Sequence, residues 1–218
     1  MKAILIGATG LVGKALLELL LKDDNVESVL VVTRRSTGVS HTKLKEEIVD
    51  FDQLEQSQSV FKGDVLFSTL GTTLKTAGSK ARQWEIDYDM QFNSAKYAVE
   101  NGVKELVLLS STGADPKSKV FYSRLKGTLD RDVQKLDFDA VNIIRPSMLA
   151  GNRKEFRWSE KIFTPIMYAL SWIPGIRKYR PIKDKTVAQA MINAAKQPSQ
   201  TVQIYELEAI FKLAKESG

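Results

Sequence analysis

The sequence predicts an α/β fold: a doubly wound parallel sheet with helices on both faces. Three observations carry that reading. Short, continuously apolar runs such as Ala3–Ile6 and Ser28–Thr33 alternate with helical stretches. Strands of that kind need cover on both faces, and strands alternating with helices fold as right-handed βαβ units. Gly7, Gly10 and Gly13 stand between the first such strand and the first helix. Finally, 218 residues with 43% hydrophobic and 27% charged side chains suit an ordinary globular core, and the whole of 1–218 reads as a single domain.

The elements follow in order. Lys2–Gly7 reads as a buried strand. Leu11–Lys22 is a helix, apolar at Leu11, Val12, Ala15, Leu16, Leu19 and Leu20. Ser28–Thr33, Lys45–Asp50 and Val65–Thr69 are the next strands. Arg82–Asn101 is a long helix with a C-cap signal at Asn101-Gly102. Glu105–Ser110 is a fifth strand, Phe121–Leu136 a helix, and Ala140–Arg145 a sixth strand stopped by Pro146. Sheets of this kind bind ligands at the carboxyl ends of their strands, where strand order reverses.

After Pro146 the rhythm breaks, and residues 146–185 form a substrate-side cap segment. Its stretch from Arg157 to Arg180 holds Trp158, Phe163, Met167, Tyr168, Trp172 and Ile173. Such a stripe reads as a helix packed on the core, as a lid, or as a surface anchor. Thr186–Lys196 is then a helix, Thr201–Tyr205 a short strand and Glu206–Lys215 a terminal helix.

Composition excludes several chemistries. Cysteine is absent, which removes disulfides and thiolate sites. His41 is the only histidine and lies in a polar loop, so zinc sites needing two histidines are excluded and no metal is expected. No run of 18 apolar residues suggests a membrane span, and the first residues lack a secretory cleavage pattern, so a cytoplasmic protein is expected. The net charge of +6 suits an anionic partner: nucleic acid, a membrane surface or a phosphorylated small molecule. Basic residues are scattered and form no helical stripe interleaved with aromatics, so nucleic acid is not an expected partner.

The glycine run places each residue in a physical role. Gly7 permits a tight turn, Gly10 a close approach of backbone to pyrophosphate, and Gly13 tight packing of helix on strand. The expected phosphate cradle comprises Gly7, Thr9, Gly10, Leu11 and Val12. The second strand ends in Thr33-Arg34-Arg35, with no carboxylate to bond a ribose 2′-OH. Two guanidiniums pair well with a 2′-phosphate, so NADP(H) is favoured over NAD. Asp52 reads either as an adenine contact or as a helix N-cap. Leu70, Gly71 and Thr72 follow the fourth strand, where a glycine lets backbone pass close to a ribose.

Tyr122 and Lys126 stand at i and i+4 and share one helix face. A cation beside a phenol stabilises the phenolate and makes the phenol a usable acid at neutral pH. The pair opens the helix after a strand ending in Ser110-Ser111.

Together GATGLVG at 7–13, TRR at 33–35, TLGTT at 69–73, LLSSTGAD at 108–115, YSRLKG at 122–127 and IIRPSML at 143–149 resemble the short-chain dehydrogenase/reductase superfamily. The match is to its atypical NAD(P)H-binding branch, which includes the Tat-interacting oxidoreductase-like proteins. It covers roughly residues 2–158. The resemblance implies a Rossmann-type domain in which Tyr122 protonates a carbonyl oxygen as hydride arrives. It implies that Lys126 holds the ribose hydroxyls and that Ser111 binds the substrate oxygen, with Ser110 as the neighbouring candidate. Pro146–Leu149 would lie along the nicotinamide, making Leu149 a cofactor contact. An arginine further on, Arg157 by spacing or Arg153 second, would also touch the cofactor. Many members carry an asparagine where this chain has Asp87, with Asn93 nearby, so the proton relay is expected to be altered or absent. The short region after Pro146 argues against a sugar-nucleotide epimerase.

Two function classes follow. One is an NADPH-dependent reductase acting on a small carbonyl compound or quinone. The other is an NADPH-binding regulator with little turnover, which would have no need of an intact Tyr-Lys-Ser set. Either is expected as a monomer or homodimer.

Overall fold

A computed structural model describes residues 1–150, 180–197 and 202–216. Seven strands form one sheet: β1 (Lys2–Ile6), β2 (Ser28–Thr33), β3 (Leu44–Ile48), β4 (Val65–Ser68), β5 (Glu105–Leu109), β6 (Ala140–Arg145) and β9 (Val202–Glu206). Their spatial order is β3-β2-β1-β4-β5-β6-β9, and every neighbouring pair is parallel. Strand order therefore reverses between β1 and β4. Two short strands, β7 (Leu149–Ala150) and β8 (Ile182–Lys183), pair separately. That pair has no signature in the sequence, because two residues carry no periodicity.

Alternation along β1 shows why both faces need cover. Ala3 and Leu5 face one cluster, with Leu16 and Leu20 of α1 (Leu11–Lys22), Val187 and Met191 of α6 (Asp184–Lys196), and Ile210 of α7 (Glu208–Leu213). Ile4 and Ile6 face the other, with Phe61, with Ala95 of α4 (Met90–Glu100), and with Leu129 of α5 (Phe121–Val133). Burial of Ile4, Leu5 and Ile6 contributes roughly 1.5–3 kcal/mol apiece.

The long helix expected over 82–101 is interrupted. After the short helix α2 (Leu74–Ala77), α3 (Lys80–Trp84) runs into α4 through a π-type turn at Glu85–Asp89. Its end residues Glu85 and Asp89 keep helical dihedrals, and Asp87 between them faces inward, where it is 1% exposed. Such bulges trade one regular hydrogen bond for a re-aimed side chain. Asp87 Oδ1 accepts the Thr72 N–H at 2.6 Å, and Gln91 Nε2 donates to the Asp87 carbonyl at 2.7 Å. Gln91 Oε1 in turn accepts from Ser68 Oγ at 2.7 Å. The bulge thus pins the loop after β4 to the sheet.

Candidate nicotinamide-cofactor site

The β1–α1 turn is built by absence of side chains. Gly7 has φ +82°, and a Cβ there would lie 2.5 Å from the Thr69 carbonyl carbon. A Cβ on Gly13 would lie 2.1 Å from the Gly7 carbonyl oxygen. Both positions are closed to any side chain, so α1 sits directly against the ends of β1 and β4. Gly10 precedes α1, and no side chain caps its first turn. The helix thus offers its amide donors and positive dipole end at the switch point. An anionic pyrophosphate fits this cradle, whose glycines leave room for it and whose amides lack a side-chain cap.

A pocket joins this turn to the end of β2. Gly7, Thr9, Val32, Thr33, Arg34, Arg35, Phe51 and Leu70 line it. Arg34 and Arg35 are exposed and form no ion pair among the described residues. Thr33 Oγ1 donates to the Arg35 carbonyl at 2.8 Å, which shapes the turn that carries them.

Asp52 is not the N-cap of the helix that follows β3. The N-cap is Asp50, whose Oδ1 accepts the Asp52 N–H at 3.0 Å. The Asp52 carboxylate takes a bidentate bond from Arg82, at 2.7 and 3.0 Å. That bond, with the more distant charge of Arg34, holds its carboxyl below the ordinary value. An arginine 30 residues away is invisible to a local cap signal, which explains the miss.

Across the switch point lies the Tyr-Lys half. Lys126 is 3% exposed, and its Nζ donates to the Leu109 carbonyl, the last residue of β5, at 3.1 Å. Tyr122 is half-buried one turn earlier, and its hydroxyl hydrogen-bonds no described residue. Ser111 is half-buried, and its Oγ lies 3.4 Å from the Thr112 carbonyl, too long to hold it firmly. Ser110 is committed elsewhere: its Oγ donates to Asp130 Oδ2 at 2.8 Å. The structure therefore separates the two candidate serines, leaving Ser111 as the available hydroxyl.

Sequence reasoning missed what supports this half. Asp130 is 1% exposed and stands one further turn along the face of Tyr122 and Lys126. Arg145 Nε donates to Asp130 Oδ2 at 2.8 Å, and its other arm reaches Glu206 at 2.8 Å. Burial pushes the Asp130 carboxyl up; Ser110, Lys126 and Arg145 pull it back only in part. Its second oxygen has no hydrogen-bond partner among the described residues. The i, i+4, i+8 spacing was the available signal. Gly127 was also missed. A Cβ there would lie 2.3 Å from the Asp115 backbone, so the loop after Ser111 crosses α5 at this glycine.

Leu149 lies in β7, paired with Ile182. Gly71 and Thr72 lie in the loop that Asp87 fixes, at the position of the expected relay asparagine. Arg157, Arg153 and most of the 146–185 cap segment lie outside the described residues. Among the described residues no cluster of potential metal ligands occurs, and no helix is long and apolar enough to cross a membrane.

A parallel sheet of this order, with a glycine turn feeding an uncapped helix at its switch point, defines a dinucleotide-binding Rossmann protein. A family model described as NAD(P)H-binding matches residues 7–162, and the chain belongs to that family, within its Tat-interacting oxidoreductase-like branch. It is 33% identical to Protein HTATIP2 of Rattus norvegicus over 98% of this chain and 89% of that one. It is 34% identical to "Protein FMP52, mitochondrial" of Candida albicans, over 89% and 88% of the two chains. Among solved structures, it is similar to the oxidoreductase ylbE from Lactococcus lactis, with TM-score 0.68 and 18% identity over 99% and 98% of the chains. It is also similar to MoeE5 in complex with UDP-glucose and NAD, with TM-score 0.70 and 13% identity over 98% and 81%. Those structures share the fold. The expectation of a cytoplasmic protein is overturned: relatives in Candida albicans, Coccidioides immitis and Eremothecium gossypii carry names that place them in mitochondria.

Proposed function

We propose that this chain is an NADPH-dependent oxidoreductase of the short-chain dehydrogenase/reductase type, reducing a small carbonyl compound or quinone. One observation carries the reading: a buried ammonium, Lys126, at the end of β5, one helical turn from the Tyr122 phenol, which hydrogen-bonds no described residue. A buried lysine is rare unless something uses its charge. Gly7, Thr9, Gly10, Leu11 and Val12 hold the pyrophosphate, and Leu70, Gly71 and Thr72 pass along the ribose. Leu149 borders the nicotinamide. Arg34 and Arg35 meet the 2′-phosphate, which is why the phosphorylated cofactor is preferred.

When bound, the reduced cofactor supplies hydride to the electrophilic carbon of the substrate. Tyr122 gives its phenolic proton to the oxygen that gains charge at that moment. The Lys126 ammonium stabilises the phenolate left behind and binds the ribose hydroxyls. Ser111 donates a hydrogen bond to the same substrate oxygen and orients it. The products are the oxidised cofactor and an alcohol or, from a quinone, the hydroquinone, since one hydride and one proton complete either reduction; a proton from water then restores the Tyr122 phenol.

The experiment is NADPH oxidation with a panel of aldehydes, ketones and quinones, wild type beside Tyr122→Phe. The variant is expected to bind NADPH normally and to lose turnover by about 100-fold or more. Turnover that survives the substitution overturns the role given to Tyr122. Tight binding with no turnover across the panel favours a cofactor-binding regulator.

A further inference from the structure

We propose that Glu46, on the edge strand β3, is a positioning residue that sets the preference for a 2′-phosphorylated cofactor, by clamping the turn that carries Arg34 and Arg35. The inference rests on the reading of those two arginines given above.

Glu46 lies opposite Val31 in the β2–β3 register, just short of the turn. Its Oε2 accepts from Ser36 Oγ at 2.6 Å. Its Oε1 accepts the Thr37 N–H at 2.8 Å and also the Thr37 hydroxyl. The same two hydroxyl oxygens then accept the N–H groups of Gly38, at 3.1 Å, and Val39, at 3.2 Å. On the other side of the arginines, Thr33 Oγ1 donates to the Arg35 carbonyl at 2.8 Å. The backbone is therefore held on both sides of the pair.

Two consequences follow for recognition. The hydroxyl protons of Ser36 and Thr37 are directed at Glu46, so the guanidiniums are left as the phosphate donors of this turn. An exposed turn that is already ordered loses less entropy when a ligand arrives. The Ser36 and Thr37 donors also hold the Glu46 carboxyl below its ordinary value, so the clamp stays ionised at neutral pH. A side chain that merely fastened β3 to the sheet would affect both nicotinamide cofactors alike, because they share every group except the 2′-phosphate.

The test is fluorescence titration of the full chain with NADPH and with NADH, for wild type, Glu46→Ala, Glu46→Gln and the double variant Arg34→Ala/Arg35→Ala. Glu46→Ala is expected to weaken NADPH binding roughly 5-fold while NADH changes by less than about 2-fold. Glu46→Gln keeps a carbonyl acceptor for Thr37 and falls between, which guards against a folding defect in the alanine variant. The arginine double variant is expected to lose about 30-fold or more in NADPH affinity alone. If it does so while Glu46→Ala leaves the NADPH-to-NADH ratio untouched, the clamp has no part in selectivity. If the arginine variant itself keeps its preference, the cofactor reading fails and the clamp falls with it.

Discussion

The two halves of the candidate site are built by opposite means. The β1–α1 half is made of backbone: two glycines that no side chain can replace, and a helix end without a cap. The β5–α5–β6 half is made of buried side chains: Lys126 on a carbonyl, and Ser110, Asp130, Arg145 and Glu206 in one chain of charge-assisted bonds. Backbone sites need only a turn and a dipole, both local. Side-chain sites need charges gathered from distant positions, and each charge must be neutralised where it lies.

That contrast is sharpest in its energetics. Removing one arm of the charge chain should cost most. Arg145→Ala leaves Asp130 buried with only Ser110 and Lys126 to balance it, an expected loss of about 3–5 kcal/mol in urea unfolding. Arg145→Met with Asp130→Leu, which removes the pair together, should recover most of that loss. A double variant as unstable as Arg145→Ala would show that the network is more than an ion pair. In the backbone half the disturbance is steric. Gly13→Ala places a methyl against the Gly7 carbonyl and should cost about 1–3 kcal/mol, with a matching loss of NADPH affinity as α1 shifts. Loss of stability without loss of affinity would separate the packing of this turn from its anion-binding role.

The smallest effect lies at the opposite end of β5 from Lys126's carbonyl partner, Leu109. At the start of β5, burial pushes the Glu105 carboxyl up to about 7, opposed only in part by the bond from Asn142 Nδ2 at 2.7 Å. Its ordinary value is 4.5. The folded state therefore holds a proton that the unfolded chain has released, and stability falls as pH rises from about 4.5 to about 7, then levels. For a half-buried group the fall is about 1–2 kcal/mol after allowance for solvent screening. Glu105→Gln should flatten that slope in thermal unfolding across the window. An unchanged slope would place the titrating group elsewhere, with Asp130 the next to examine.

Much of the fold was legible because its signals are local. Leu11–Lys22, Ser28–Thr33 and Ala140–Arg145 occupy the residues their periodicity predicts. The crossover rule gives each βαβ unit its right hand, while the order of the strands and the reversal between β1 and β4 come from the tertiary structure. The break at Glu85–Asp89 was not legible, since its cause is the Thr72 amide waiting for Asp87 across the loop. Asp52 shows the same limit from the other side. Its neighbours suggested a cap, and a guanidinium 30 residues away took the carboxylate.

By itself, then, the sequence determined the layered α/β fold, the glycine turn and the helix face shared by Tyr122 and Lys126. Each depends on residues within a few positions of one another, whose backbone preferences act before any tertiary contact forms. Only the tertiary structure decided which serine is available, which aspartate caps, and how a buried lysine and aspartate are balanced. Those outcomes depend on which charges and amides meet after the strands have packed. In a low-dielectric interior, whichever partner completes a buried polar group stabilises it far more than a local preference could.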